Sequence, residues 1–186
     1  LVGGTITIST GFTNGDILTI NTQNGISQTS YSSGVLTISG TATLANYQTA
    51  LRSITYSSTS EDPTITSNSR TITWIVTDAN SESLGAESST SVTSTITITP
   101  LNDAPEVTAG GSLTYTENGS AEVVDNTIIT SDIDDTQLSG ASLTISSGFT
   151  TGDILTLASQ NGISQTSYNS GVLTISGTAS LTNYET

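Results

Sequence analysis

The 186-residue sequence has no cysteine, no lysine and no histidine, only three prolines, and a single tryptophan. Each scarcity excludes something. Without cysteine there is neither a disulfide framework nor a thiolate zinc site. Without histidine, lysine or cysteine, no side chain of suitable pKa stands ready to activate a serine or to act as nucleophile. Lysine-dependent isopeptide crosslinks are excluded with them. Carboxylate pairs remain, but Glu61 with Asp62, or Asp132 with Asp134 and Asp135, are too close in sequence to face each other across a sugar ring. The chain therefore reads as non-enzymatic. No apolar run approaches the roughly 20 residues of a membrane-spanning helix, which argues against membrane insertion. There is no start methionine and no leader segment, so both ends read as internal boundaries.

Positive charge is almost missing. Arg52 and Arg70 face sixteen acidic residues, for a formal net charge of -14. That balance repels nucleic acid and anionic membrane. A fold with so much like charge repels itself unless cations bind, which makes a divalent metal the first partner to consider. The plainer alternative is an acidic surface that keeps a secreted protein soluble.

What the chain has in abundance is threonine and serine, 38 and 31 residues. Threonine is β-branched and serine tolerates turns, a composition suited to short strands with one wet face. Apolar residues alternate with polar ones at Ile6 and Ile8, Leu18 and Ile20, Leu36 and Ile38, then Ile72, Trp74 and Val76, then Val92, Ile96 and Ile98. Each set lines one face of a strand. Asn14-Gly15-Asp16, Gln23-Asn24-Gly25 and Ser32-Ser33-Gly34 separate them as tight turns. The expected class is all-β, an antiparallel sandwich of immunoglobulin type. Leu44, Tyr47, Leu51 and Ile54 break the alternation at helical spacing and predict one short helix per repeat, over residues 45–52. Trp74 is the expected core anchor.

The chain repeats itself. Residues 1–49 align with 138–186 at an offset of 137 without a gap, and 36 of the 49 positions are identical. This is a tandem array seen through about one and a third periods. Two of the three prolines stand in Pro100-Leu101-Asn102-Asp103-Ala104-Pro105, a stiff polar connector. The expected division is residues 1–102, the later part of one module without its first strands, and 103–186, the earlier part of the next without its last strands, with a linker at about 100–105. A permuted single sandwich over residues 1–137 is the alternative. It requires the connector to span the poles of a sandwich, roughly 30 Å for strands of nine or ten residues, and six residues reach at most roughly 20 Å.

Among the acidic clusters, Ser131-Asp132-Ile133-Asp134-Asp135 is the strongest cation candidate, because alternating Asp132 and Asp134 point the same way in an extended chain. A solvated acidic turn is the alternative. Asp16 and Asp153 recur in the two copies and read as turn residues bonded to nearby backbone. Asn118-Gly119-Ser120 is the one glycosylation sequon.

In their order along the chain these segments resemble the cadherin-like tandem repeats of large bacterial surface adhesins, extender modules of the RTX-adhesin type. Val92 to Ile98 followed by Leu101-Asn102-Asp103-Ala104-Pro105 resembles a last strand and calcium-binding linker, in shortened form. Tyr115-Thr116-Glu117-Asn118 looks like the early Pro-Glu-Asn motif, with Thr116 in place of proline. Ser131-Asp132-Ile133-Asp134-Asp135 is similar to the Asp-x-Asp that reaches back to the linker, Val76-Thr77-Asp78-Ala79 to the late-strand aspartate, and Glu61-Asp62 stands where Asp-Arg-Glu is usual. The resemblance implies calcium at the junction, held by Asn102, Asp103, Asp132, Asp134 and Asp135 with Glu61 or Asp62. It implies that Asp78 and Glu117 serve the junctions on either side.

The function this implies is mechanical: an extender of an extracellular adhesin or surface fibre, at the cell surface or secreted, whose partners are neighbouring repeats and identical chains in a fibre. Two alternatives stand beside it. One is a carbohydrate- or ligand-binding repeat, ice included, through threonine faces such as Thr93, Thr95, Thr97 and Thr99. The other is a filament subunit whose sandwich is completed by strands of a neighbouring chain.

Overall fold

A computed structural model describes residues 1–80 and 82–186. Backbone contacts divide the chain into two units, Leu1–Leu101 and Asn102–Thr186. Both are built mainly of antiparallel strands, and each has one short helix.

In the first unit the alternating stretches become β1 (Gly3–Thr10), β2 (Asp16–Thr19), β3 (Ser27–Ser32), β4 (Val35–Ser39), β5 (Thr55–Ser58), β6 (Ser69–Thr77) and β7 (Val92–Thr97), with α1 (Leu44–Arg52) between β4 and β5. Five strands form one antiparallel sheet in the order β3-β4-β1-β6-β7, and β2 pairs with β5 in a second. Side chains alternate across a strand. Ile6 and Ile8 of β1, Leu36 and Ile38 of β4 and Ile72 of β6 therefore share the inner face, where they bury against Leu18, Ile20, Ile26, Tyr47 and Ala50. The arrangement is a β-sandwich. The outer face carries threonine and serine, some cross-linked, as where the Thr73 hydroxyl donates to Ser9 Oγ at 2.8 Å.

The turns follow from residue type. Asn24 (φ 52°) with Gly25 (φ 78°), and Ser33 (φ 48°) with Gly34 (φ 80°), place two successive residues in the left-handed region. Such turns match the twist of the strands they join.

Two expectations are corrected in detail. The helix forms, but Leu44 is 67% exposed and the buried residues are Tyr47 and Ala50. Leu44 directly follows the cap Thr43, whose side chain accepts the Asn46 N–H, so it sits at the helix entry off the packed stripe. Trp74 lies at the rim of the core, half-buried, its indole N–H donating to Ser94 Oγ at 2.8 Å. Val92, paired with Trp74, is exposed.

The second unit holds β8 (Glu106–Thr108), β9 (Ile129–Ser131), β10 (Gln137–Thr144), β11 (Ser164–Asn169), β12 (Val172–Ser180) and α2 (Leu181–Glu185). β8 pairs with β9, and the others form a sheet in the order β10-β12-β11. Its core is smaller: Ile163, Leu173, Ile175 and Ala179, flanked by Leu143, Leu155, Leu157, Tyr168 and Tyr184. β9 rests on α2, where the Thr130 N–H donates to Glu185 Oε1 at 2.8 Å. The sequence repeat persists at the level of single bonds. Tyr47 donates to the Gly40 carbonyl and Tyr184 to the Gly177 carbonyl, both at 2.7 Å.

Candidate metal centre

The turn between β9 and β10 carries Asp132, Asp134 and Asp135. One carboxylate oxygen from each lies within 4.8 Å of the others, the one such cluster among the described residues. The cause is a turn and not strand alternation: Asp132 Oδ1 accepts the backbone N–H groups of Asp134 (3.3 Å) and Asp135 (3.2 Å), which folds the segment back on itself. Asp134 Oδ2 in turn accepts the N–H of Asp103 at 3.1 Å, tying the connector to the cluster. Asn102 lies beside it, its amide donating to the Asp103 carbonyl at 2.6 Å.

The electrostatics show crowding. The Asp103 N–H pulls the Asp134 carboxyl down, but partial removal from water and the neighbouring carboxylates of Asp132 and Asp103 outweigh it, and Asp134 sits above its ordinary value. Asp132 sits below its own: partial burial pushes it up, and the N–H groups of Asp135, Asp134 and Ile133 more than offset that. Hard oxygen donors on a short exposed turn fit a divalent cation such as calcium, which takes carboxylate, carbonyl and water oxygens together.

Of the other expected ligands, Asp62 and Asp78 accept bonds within their own loops, and Glu61 and Glu117 are exposed. Asp62 Oδ1 accepts from the N–H and hydroxyl of Thr64, both at 3.0 Å, next to exposed Glu61. Asp78 Oδ1 accepts from Asn80 N (3.1 Å) and Glu87 N (2.9 Å), closing the loop after β6, and the Glu87 N–H holds its carboxyl below the ordinary value. Glu117 is exposed on a turn. A carboxylate absent from the expected set, Asp125, organises another loop. The Thr127 hydroxyl, with the N–H groups of Thr127, Gly111 and Gly110, holds it down to about 2.

The most tightly bound carboxylate was expected to be only a turn residue. Asp16 does accept the Thr13 N–H at 2.8 Å, and it is also fully buried against Arg70, with Nε to Oδ2 at 2.6 Å. Tyr56 donates to Oδ1 at 2.6 Å, and Arg70 is capped further by the carbonyls of Ser67 and Pro63. Burial pushes the Asp16 carboxyl up, but Arg70, Tyr56 and Thr13 together hold it below the usual range. One signal was available. Arg70 is one of two cations in the chain and sits at an inward position of a strand, where only a paired charge is tolerated.

Halomucin of Haloquadratum walsbyi (strain DSM 16790 / HBSQ001) is 38% identical over 101 residues, covering 50% of this chain and 1% of halomucin. The chain thus spans a very small part of that relative. No protein-family model and no solved structure matches the chain. Among the described residues, no helix is long and apolar enough to cross a membrane.

Proposed function

We propose that the chain is a non-enzymatic spacer of an extracellular surface or secreted protein, and that calcium bound by Asp132, Asp134 and Asp135 stiffens its repeats. The observation that carries this reading is the bond from the Asp103 N–H to Asp134, which couples the acidic turn to the connector. A cation there neutralises crowded carboxylates and orders Asn102 and Asp103 against the turn. The β-sandwich, the tandem repeat and the similarity to halomucin support a structural role at or beyond the cell surface. The cadherin-like resemblance agrees with the placing of the ion near a connector.

Generic screening must be separated from binding, since any salt relieves a charge of -14. Thermal unfolding in calcium chloride is compared with sodium chloride at equal ionic strength. Calcium at a hundredfold excess over its dissociation constant adds about 2.7 kcal/mol to the unit that binds it. The expected result is a calcium-specific gain that Asp134→Asn removes, with scattering from the chain showing a longer, less variable particle. Equal effects of both salts, or a gain untouched by Asp134→Asn, would overturn the reading.

A further inference from the structure

The main sheet of each unit ends on the same strand. β3 closes one side of the order β3-β4-β1-β6-β7, and its copy β11 closes the order β10-β12-β11. Each is held along a single edge, by β4 and by β12. The two units together contain a copy of every element in the 137-residue period, and none of those described lies along the other edge. β5 pairs with β2, β6 with β1 and β7, and β8 with β9. A row of backbone N–H and C=O groups on β3 and on β11 therefore faces water, a ready template for a further strand.

Edges of this kind are commonly blunted by charge or by proline. Neither is present. No charged residue and no proline stands between Asp16 and Arg52, or between Asp153 and Glu185, in a chain whose net charge is -14. The one blunting device is a bulge, after Gln28 in β3 and after Gln165 in β11. It bends both copies alike, the Thr29 hydroxyl donating to the Thr37 carbonyl at 3.2 Å and that of Thr166 to the Thr174 carbonyl at 3.1 Å. The residues around this edge also repeat more closely than the rest. From Gln23 to Ala42 only Ser32 differs from its copy, Asn169, whereas nine of the first 22 positions differ. Burial does not account for that. Gln28, Thr29 and Ser30 are exposed and unchanged in the copy, while exposed Asn14 and Gln48 become Thr151 and Glu185.

We infer that β3 and β11 are edges for lateral association, and that the partner is a second copy of this chain, whose β3 or β11 adds antiparallel and continues the sheet from one chain into the next. Charge selects the occupant. Two chains of -14 repel wherever carboxylates meet, and the uncharged stretches that hold β3 and β11 are where two copies can approach without opposing charge. An edge that pairs with its own copy needs no second surface, because the same patch serves both partners. Main-chain hydrogen bonds supply the attraction, and an edge that recurs once per period lets weak pairings add along an array. The inference does not depend on a bound cation.

The test is sedimentation of the chain over rising concentration, with chelator and enough sodium chloride to screen the repulsion, and amide exchange on the same samples. The expected result is reversible association, with exchange that slows at residues 27–32 and 164–169 as concentration rises and stays constant at 92–97, the opposite edge of the first sheet. Ser30 and Ser167 are exposed on the two edges. Ser30→Glu with Ser167→Glu should weaken association at least ~10-fold by setting like charges across the pair. Ser30→Asn with Ser167→Asn should leave it intact, and mixing the glutamate chain with one carrying Ser30→Lys and Ser167→Lys should restore it. A chain that stays monomeric at high salt would overturn the inference. So would association untouched by the glutamates, or slowed exchange confined to 92–97. Capture of an oligosaccharide by the monomeric chain on a glycan array, lost with the glutamates, would make a sugar the occupant and overturn it as well.

Discussion

Asp16 shows how much one side chain can carry in a small sandwich. Its carboxylate and the Arg70 guanidinium are both fully buried, so each depends on the other for the solvation that water would have given. Arg70→Met should destabilise the first unit by about 3–5 kcal/mol, read from urea unfolding, because it strands a buried charge. The cluster also sets a pH window. Asp16 titrates below its unfolded value, so its contribution is complete above about 4 and lost as pH falls through the lower folded value. Tyr56 is pushed up to about 12 by burial and by Asp16. Its neutral form is the one favoured by folding, so that contribution is whole below about 10 and lost as pH rises toward 12. Urea midpoints measured across pH should therefore be flat in the middle and fall on both sides, and Tyr56→Phe should lessen the alkaline fall without abolishing it, because burial also pushes Tyr31 and Tyr47 up.

At the scale of elements, stability rests on turns and on the link from helix to sheet. Gly40 (φ 141°) has no room for a side chain, since a Cβ there would lie 1.9 Å from the Gly25 carbonyl oxygen. Gly40→Ala should cost more than ~2 kcal/mol. Ser33 occupies a left-handed position that asparagine tolerates better, and Ser33→Asn should gain about 0.5 kcal/mol in the same urea assay. Tyr47→Phe removes the bond to the Gly40 carbonyl and leaves that oxygen unpaired, at a cost of about 1–2 kcal/mol. Strands and turns of this kind were legible in the sequence because period-two alternation and Asn-Gly or Ser-Gly pairs are local signals. The packed stripe of α1 was only partly legible. Spacing places Leu44 and Tyr47 on one face but does not say that the helix begins at Leu44, and the start of a helix is where a residue escapes the core.

Across the whole molecule the two units differ in what they bury. The first encloses ten core residues and the second four among those described. Calorimetry should resolve a lower transition that belongs to Asn102–Thr186 and a higher one that belongs to Leu1–Leu101. Asp134→Asn should act on the lower transition in calcium, and Arg70→Met on the higher. Raising sodium chloride should lift both modestly, because screening relieves self-repulsion that is spread over the chain.

The sequence by itself determined the class and the period. Alternation, turn chemistry and a gapless match at an offset of 137 residues are read along the chain, and the all-β sandwich with one short helix in each unit follows from them. It also named Asp132, Asp134 and Asp135 as a group. Only the tertiary structure decided what each carboxylate meets. The Asp132 cluster closes through a turn bonded to Asp103, and Asp16 finds an arginine 54 residues away. Two closely similar aspartate turns hold a buried ion pair in one unit and an exposed carboxylate in the other, because burial and charge pairing depend on which strands lie alongside, and local pattern carries no record of that.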